Sequence, residues 1–160
     1  LGEGSSFGIR LPQAEVLEPA PALAAALIPN PLQGRAALLV DDDPIVLESL
    51  AAKLRSWDLR VFAATEAADA LAQLAEAAVM PDLIVADYQL GANDDGIALV
   101  DRVRSRFDAR IPALLVTGYT GNEHREPAAQ RGIRILDKPV KPAQLRLALE
   151  AALNAEVAPT

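Results

Sequence analysis

The sequence predicts an α/β fold in which a parallel sheet carries helices on both faces. Three observations carry this prediction. Short apolar runs of strand length alternate five times with segments whose apolar residues recur at helical spacing. The apolar runs lack polar alternation, as strands covered on both faces do. Two of them, the first and third, end abruptly in carboxylates, at Asp41-Asp42-Asp43 and at Asp87. Right-handed crossovers would bring every strand's carboxyl end to one edge of the sheet, which is where open α/β sheets bind ligands.

Taken in order, Ala36-Ala37-Leu38-Leu39-Val40 runs into Asp41 as the first strand, 36–41. Pro44 suits the first turn of a helix, where its missing N–H is no loss, and Ile45, Val46, Leu47, Leu50 and Leu54 continue that helix over 44–57. Leu59 to Ala63 is a second short strand. Thr65 is placed to cap a helix over 66–78, with Glu66 in its first turn and Ala67, Ala70, Leu71, Leu74 and Ala78 as its inner stripe. Pro81 breaks the pattern, and Asp82-Leu83-Ile84-Val85-Ala86-Asp87 repeats the opening motif. A loop of Gly, Asn and Asp over 91–96 leads to a helix over 96–107 carrying Ile97, Leu99, Val100 and Val103. The fourth strand, Ile111 to Val116, ends at Thr117-Gly118. A helix over 121–131 contains Pro127 and is expected to be short or irregular. Ile133 to Leu136 is the fifth strand, ending at Asp137-Lys138-Pro139, and a last helix over 141–155 carries Leu145, Leu147 and Leu149. The folded domain is therefore read as 35–155, with 156–160 as a tail.

Residues 13–34 hold Pro19, Pro21, Pro29 and Pro31 among many Ala, the composition of an extended linker, with a helical turn or two at Ala22 to Ile28. Residues 1–12 alternate Phe7, Ile9 and Leu11 with Gly8 and Arg10, which is strand-like. A lone strand has no independent stability, so this one belongs to a sheet lying before residue 1 or rests on the domain.

The 160 residues carry a net charge of −7, which argues against nucleic acid as a direct ligand and permits a cation site or a basic protein partner. With no Cys, disulfides, thiol chemistry and thiolate metal sites are excluded, as suits a cytoplasmic location. No apolar stretch reaches the length of a membrane span and no signal-peptide pattern is present, so no membrane contact by this chain is expected.

On its own, the acidic turn at 41–43 has two readings: a site for a hard divalent metal, Mg²⁺ above all, or a solvated turn capping the next helix. Lys138 alone reads equally as an ion pair with Asp87, and Thr117 as a strand-end cap. Convergence decides between them. The topology brings Asp41, Asp42, Asp43, Asp87, Thr117 and Lys138 to one edge, giving metal ligands, a nucleophile, a hydrogen-bond donor and a fixed positive charge.

These motifs together, Val40-Asp41-Asp42-Asp43, Leu83-Ile84-Val85-Ala86-Asp87, Asp95-Gly96, Leu115-Val116-Thr117-Gly118 and Asp137-Lys138-Pro139, resemble the receiver domain of two-component response regulators over about 36–155. The resemblance implies a flavodoxin-like (βα)5 doubly wound sheet of strand order 2-1-3-4-5. It implies Asp87 as phosphoacceptor and Asp41 and Asp42 as the pair that holds Mg²⁺, Asp42 directly and Asp41 mainly through water. By the same resemblance Gln89 offers a backbone carbonyl to the metal, Thr117 and Lys138 contact the phosphoryl group, and the Lys138-Pro139 bond is cis. Asp43 falls just outside the pair.

The chain departs from the family in one place that bears on switching. Receivers often carry an aromatic on the fifth strand three residues before the Lys, and here that residue is Ile135. Tyr119 is an aromatic near the site, and His124, the sole His, reads as a solvated surface residue. The stretch Gly2-Glu3-Gly4-Ser5-Ser6-Phe7 resembles the closing strand of a histidine-kinase ATP-binding domain. The chain is accordingly read as the C-terminal piece of a hybrid sensor histidine kinase whose whole could be membrane-anchored. The piece itself only self-catalyses phosphotransfer to Asp87. Implied partners are a phosphohistidine-bearing kinase domain, in cis or in trans, a histidine phosphotransfer protein, and a second copy of the chain. Two alternatives stand beside this: a degenerate receiver serving only as an interaction module, and a Mg²⁺-dependent phosphatase of the haloacid dehalogenase type using Asp41 and Asp43.

Overall fold

The computed structural model describes residues 30–91 and 94–156; the strand expected over 1–12 and the linker expected over 13–34, as far as residue 29, lie outside them. Five strands, β1 (Ala36–Val40), β2 (Arg60–Ala64), β3 (Leu83–Ala86), β4 (Ala113–Thr117) and β5 (Arg134–Asp137), alternate with five helices. The helices are α1 (Pro44–Arg55), α2 (Ala67–Ala77), α3 (Gly96–Phe107), α4 (Arg125–Gln130) and α5 (Pro142–Glu156). All strand pairs are parallel, in the order β2-β1-β3-β4-β5. This is the doubly wound, flavodoxin-like sheet that the motifs imply.

The unbroken apolar runs are explained by burial on two sides. In β1, Leu38 and Val40 join one core with Ile84, Leu99, Val100, Val103 and Leu115, while Ala37 and Leu39 join the other with Leu54, Val85, Leu114, Leu145 and Leu149. A strand's side chains alternate between faces, so both sets must be apolar when both faces are covered. The edge strands β2 and β5 are only partly buried, consistent with their mixed sequences.

Helix starts follow their caps. The Asp43 carboxylate accepts the amides of Ile45 and Val46, with Pro44 at the first turn, and Asp95 accepts the Ala98 amide at 2.7 Å. At α2 the expectation fails: the cap position falls on Glu66, not Thr65, and no side chain caps that end. Helix α4 is six residues long, as Pro127 suggests. Leu147 is not on the inner face of α5; it is 66 % exposed, whereas Leu145 and Leu149 are buried.

The fold also takes in residues assigned by composition to the linker. Leu32 is fully buried in the α1–α5 core, and the Gly34 amide donates to the Asp58 carbonyl at 2.8 Å. Gly34 turns the chain with φ +74°, a conformation that suits glycine.

Candidate functional site

Backbone bonds continue the sheet ladder one step past the strand ends and fix the polar residues there. The Asp41 amide donates to Ala64 O (3.3 Å), the Asp87 amide to Val40 O (2.9 Å), and the Lys138 amide to Thr117 O (2.7 Å). Asp41, Asp87, Thr117 and Lys138 are thereby held by the sheet itself rather than by mobile loops. The Lys138–Pro139 bond is cis.

Asp41 is 1 % exposed. Its Oδ1 accepts the Asp43 amide at 3.0 Å, and its Oδ2 accepts Lys138 Nζ at 3.0 Å. Lys138 Nζ also donates to Asp87 Oδ2 at 2.7 Å, and Asp87 Oδ1 accepts the Gln89 amide at 3.2 Å. Asp42 is exposed, and it completes a trio: one carboxylate oxygen each from Asp41, Asp42 and Asp87 lies within 4.8 Å of the others. An open cleft of about 640 Å³, walled by Thr65, Glu66, Leu90, Gly91 and Asp94, reaches Asp42 from solvent.

Burial pushes the Asp41 carboxyl above its ordinary range, even though Lys138 and the Asp43 amide pull the other way. For Lys138 burial acts to lower the ammonium, but its bonds to Asp87 and Asp41 prevail and raise it. A buried carboxylate that remains strained toward its neutral form, beside two further acids, is a donor set suited to a hard cation. All the side-chain donors are oxygens, and Mg²⁺ keeps several waters when only a few carboxylates bind it.

Gly96 explains the close fit at the end of β3. Its amide donates to Tyr88 O at 2.8 Å, and any Cβ at this position would collide with the Asp87 carbonyl and the Leu115 side chain. Thr117 is buried, and its Oγ1 accepts the Tyr119 amide at 3.0 Å, leaving the hydroxyl proton to donate elsewhere. Gln89 is held at the rim by its amide bond to Asp87 and a backbone bridge to Asp95. Asp43 stands apart from the trio, its Oδ1 occupied by the first turn of α1, so it is not poised as the acid of an Asp-x-Asp phosphatase.

His124 corrects the reading of the sequence. It is 1 % exposed, not solvated, and stacks on Tyr88 with ring centroids 4.6 Å apart and planes at 29°. Tyr119 meets it edge-on at 5.5 Å, and both imidazole nitrogens lack a hydrogen-bond partner. The rings come from two connections, Tyr88 from β3–α3 and Tyr119 and His124 from β4–α4, so no local periodicity announces their meeting. The available signal was the placement of Tyr88 next to Asp87 and of Tyr119 two residues after Thr117.

Comparison with known proteins gives a consistent picture. The family model for the response regulator receiver domain matches residues 37–150. The chain is similar to the transcriptional regulatory protein ZraR of Klebsiella oxytoca, 33 % identical over 117 residues, covering 72 % of this chain and 26 % of that protein. Among solved structures, the signal receiver domain of an HD domain-containing protein from Pseudomonas fluorescens Pf-5 is 29 % identical with a TM-score of 0.67, over 78 % of this chain and 98 % of that one. A receiver domain protein from Clostridium thermocellum, 20 % identical with a TM-score of 0.68 over 76 % of this chain and 96 % of its own, shares the fold. The chain spans between 26 % and 42 % of the length of the curated relatives it matches. Among the described residues no helix is long and apolar enough to cross a membrane.

Proposed function

This chain belongs to the response regulator receiver domain family, and from that premise we propose that it accepts a phosphoryl group from a phosphohistidine onto Asp87. Asp41, Asp42 and Asp87, with the backbone of Gln89, would hold Mg²⁺. The observation that carries the reading is the position of Lys138, whose ammonium joins the Asp87 and Asp41 carboxylates while Asp42 stands beside them.

In the proposed step a carboxylate oxygen of Asp87 attacks phosphorus. The P–N bond of the phosphohistidine breaks, and its electron pair returns to the donor imidazole. Phosphoryl transfer demands alignment and charge neutralisation more than covalent work from the protein. Mg²⁺, when bound, supplies neutralisation between the anionic nucleophile and the incoming phosphoryl oxygens. Lys138 holds the Asp87 carboxylate in place, and then offers the phosphoryl oxygens a fixed positive charge. Thr117 donates its hydroxyl proton to one phosphoryl oxygen. The interaction-only alternative would leave this assembled polar set without a role.

Receiver domains in general work with histidine kinases or phosphotransfer proteins. For this chain the proposal is a relay or phosphate sink inside a cytoplasmic portion of a hybrid sensor histidine kinase. The Gly2-Glu3-Gly4-Ser5-Ser6-Phe7 stretch supports that context, and the coding sequence upstream of residue 1 tests it directly.

Intact mass after incubation with Mg²⁺ and acetyl phosphate tests the chemistry. A single phosphoryl adduct is expected, lost without Mg²⁺ and lost in Asp87→Asn. An adduct persisting in Asp87→Asn would move the nucleophile to the 41–43 cluster. If acetyl phosphate gives nothing, a phosphohistidine donor is the second reagent, and failure with both overturns the reading.

A further inference from the structure

Building on phosphorylation at Asp87, we propose that the stacked rings of Tyr88, His124 and Tyr119 couple that residue to helix α4. Loading of Asp87 draws Thr117 and Tyr119 inward, and His124 is released from the stack to solvent.

The three rings join the relevant parts of the molecule. Tyr88 follows Asp87 directly in the chain. The Tyr119 amide is bound to Thr117 Oγ1 at 3.0 Å. His124 is the N-cap residue of α4, and its carbonyl accepts the Ala128 amide at 3.1 Å. The rings close a triangle with centroid separations of 4.6, 5.5 and 5.7 Å. A movement of Thr117 toward a phosphoryl oxygen carries the Tyr119 backbone with it, and rings packed at such distances cannot all keep their contacts.

The arrangement is also poised to open. His124 has two buried nitrogens without partners, so no polar bond locks the imidazole in its seat, and water would satisfy both nitrogens once it left. Helix α4 has only six residues with Pro127 among them, too few to hold itself without tertiary contacts. The loop before it is shaped to the Tyr119 ring: a Cβ at Gly121 would strike that ring and the Glu123 carboxylate, which takes the Tyr119 hydroxyl. At position 135 the side chain is a partly buried Ile in the core of that face, so β5 offers no ring to respond. The aromatic mass near the site is instead built on the segment joining β4 to α4.

Because His124 is the only His, its chemistry is a clean reporter. The test is diethylpyrocarbonate labelling of the full chain, with peptide mapping at His124 and phosphoryl occupancy read by intact mass on the same samples. With Mg²⁺ and phosphoryl donor, labelling of native His124 should rise about tenfold, the scale of a shift in a two-state population. Tyr119→Leu should take the phosphoryl group as the native chain does while its His124 labelling no longer responds. A native chain that acquires the adduct with unchanged His124 labelling overturns the coupling and leaves the phosphoacceptor reading standing. A Tyr119→Leu chain that keeps the full rise overturns it as well. A native chain that acquires no adduct from either donor removes the phosphoacceptor reading and the coupling together. Should Tyr119→Leu fail to fold, the imidazole ring-proton resonances of native His124 decide: movement on loading supports the coupling, and identical spectra overturn it.

Discussion

The ammonium of Lys138 lies 2.7 Å from the carboxylate of Asp87, joining the end of β5 to the end of β3 across the intervening β4. Two strand spacings amount to about 9.5 Å, which only a long side chain spans. The same ammonium reaches the buried Asp41 at 3.0 Å, so one cation serves two acids from different strands. Lys138→Met keeps the length and removes the charge. It should lower stability by about 1–2 kcal/mol, since both carboxylates lose their counter-charge and Lys138 itself is only partly buried. Phosphoryl uptake should slow by about two orders of magnitude. Urea unfolding and the time course of adduct mass check the two effects.

The Lys138 contribution carries a pH signature. Its pKa is raised in the folded chain above the ordinary 10.5, burial being outweighed by the bonds to Asp87 and Asp41. A raised ammonium binds its proton more tightly when folded, so its stabilisation is whole below pH 10.5 and disappears as pH climbs through the folded value. The stability difference between native and Lys138→Met should therefore be flat through neutral pH and shrink only in strong alkali. Paired denaturant titrations across that range decide it; a difference that fades near neutrality would refute the assignment.

Asp41 is shifted in the same direction, but its window lies in acid. Burial raises its pKa above 3.8, so the folded state disfavours the carboxylate, and its contribution declines as pH rises from 3.8 through the folded value. In metal-free buffer at neutral pH, Asp41→Asn should therefore stabilise the chain, by about 1 kcal/mol. Adding Mg²⁺ should raise the melting temperature of the native chain and leave that of Asp41→Asn nearly unchanged. Thermal unfolding with Mg²⁺ and with a chelator reads both.

What could be read from the sequence was set by local rules, and what could not depended on distant partners. Leu38, Leu39, Val85 and Leu114 announced double-sided burial by their unbroken runs, and the strand ends followed. The exposure of Leu147 follows from the helical period in the same way. Leu145, Leu149 and Leu153 recur every four residues, and a residue two beyond Leu145 lies on the far side of the helix. His124 could not be placed, because its burial depends on a ring from the distant β3–α3 connection as well as on Tyr119 of its own loop. Leu32 was hidden in a Pro-rich stretch, where composition says linker and only the turn at Gly34 returns the chain to the core. Leu32→Ala should cost about 2–5 kcal/mol if that packing is integral to the fold. A loss below about 0.5 kcal/mol, the scale of a surface change, would return residues 31–34 to the linker.

Gly96 offers the sharpest link between packing and chemistry. It starts α3 with its amide on Tyr88 O, and the space where a Cβ would sit is filled by the Asp87 carbonyl and Leu115. Its backbone needs no left-handed conformation, so the requirement is for space and not for torsional freedom. Neither obstacle yields easily, since one is backbone at the end of β3 and the other is a fully buried side chain. Gly96→Ala must then push the start of α3 away or shift Asp87 out of register with Lys138. The expected stability loss is about 1–3 kcal/mol, the usual range for overpacking. If the strain is relieved through Asp87, phosphoryl uptake falls far more than the loss of folded protein accounts for. Measuring adduct formation at a temperature where the variant remains folded separates the outcomes. Full uptake there would show that α3 gives way and that Asp87 is held by the sheet alone.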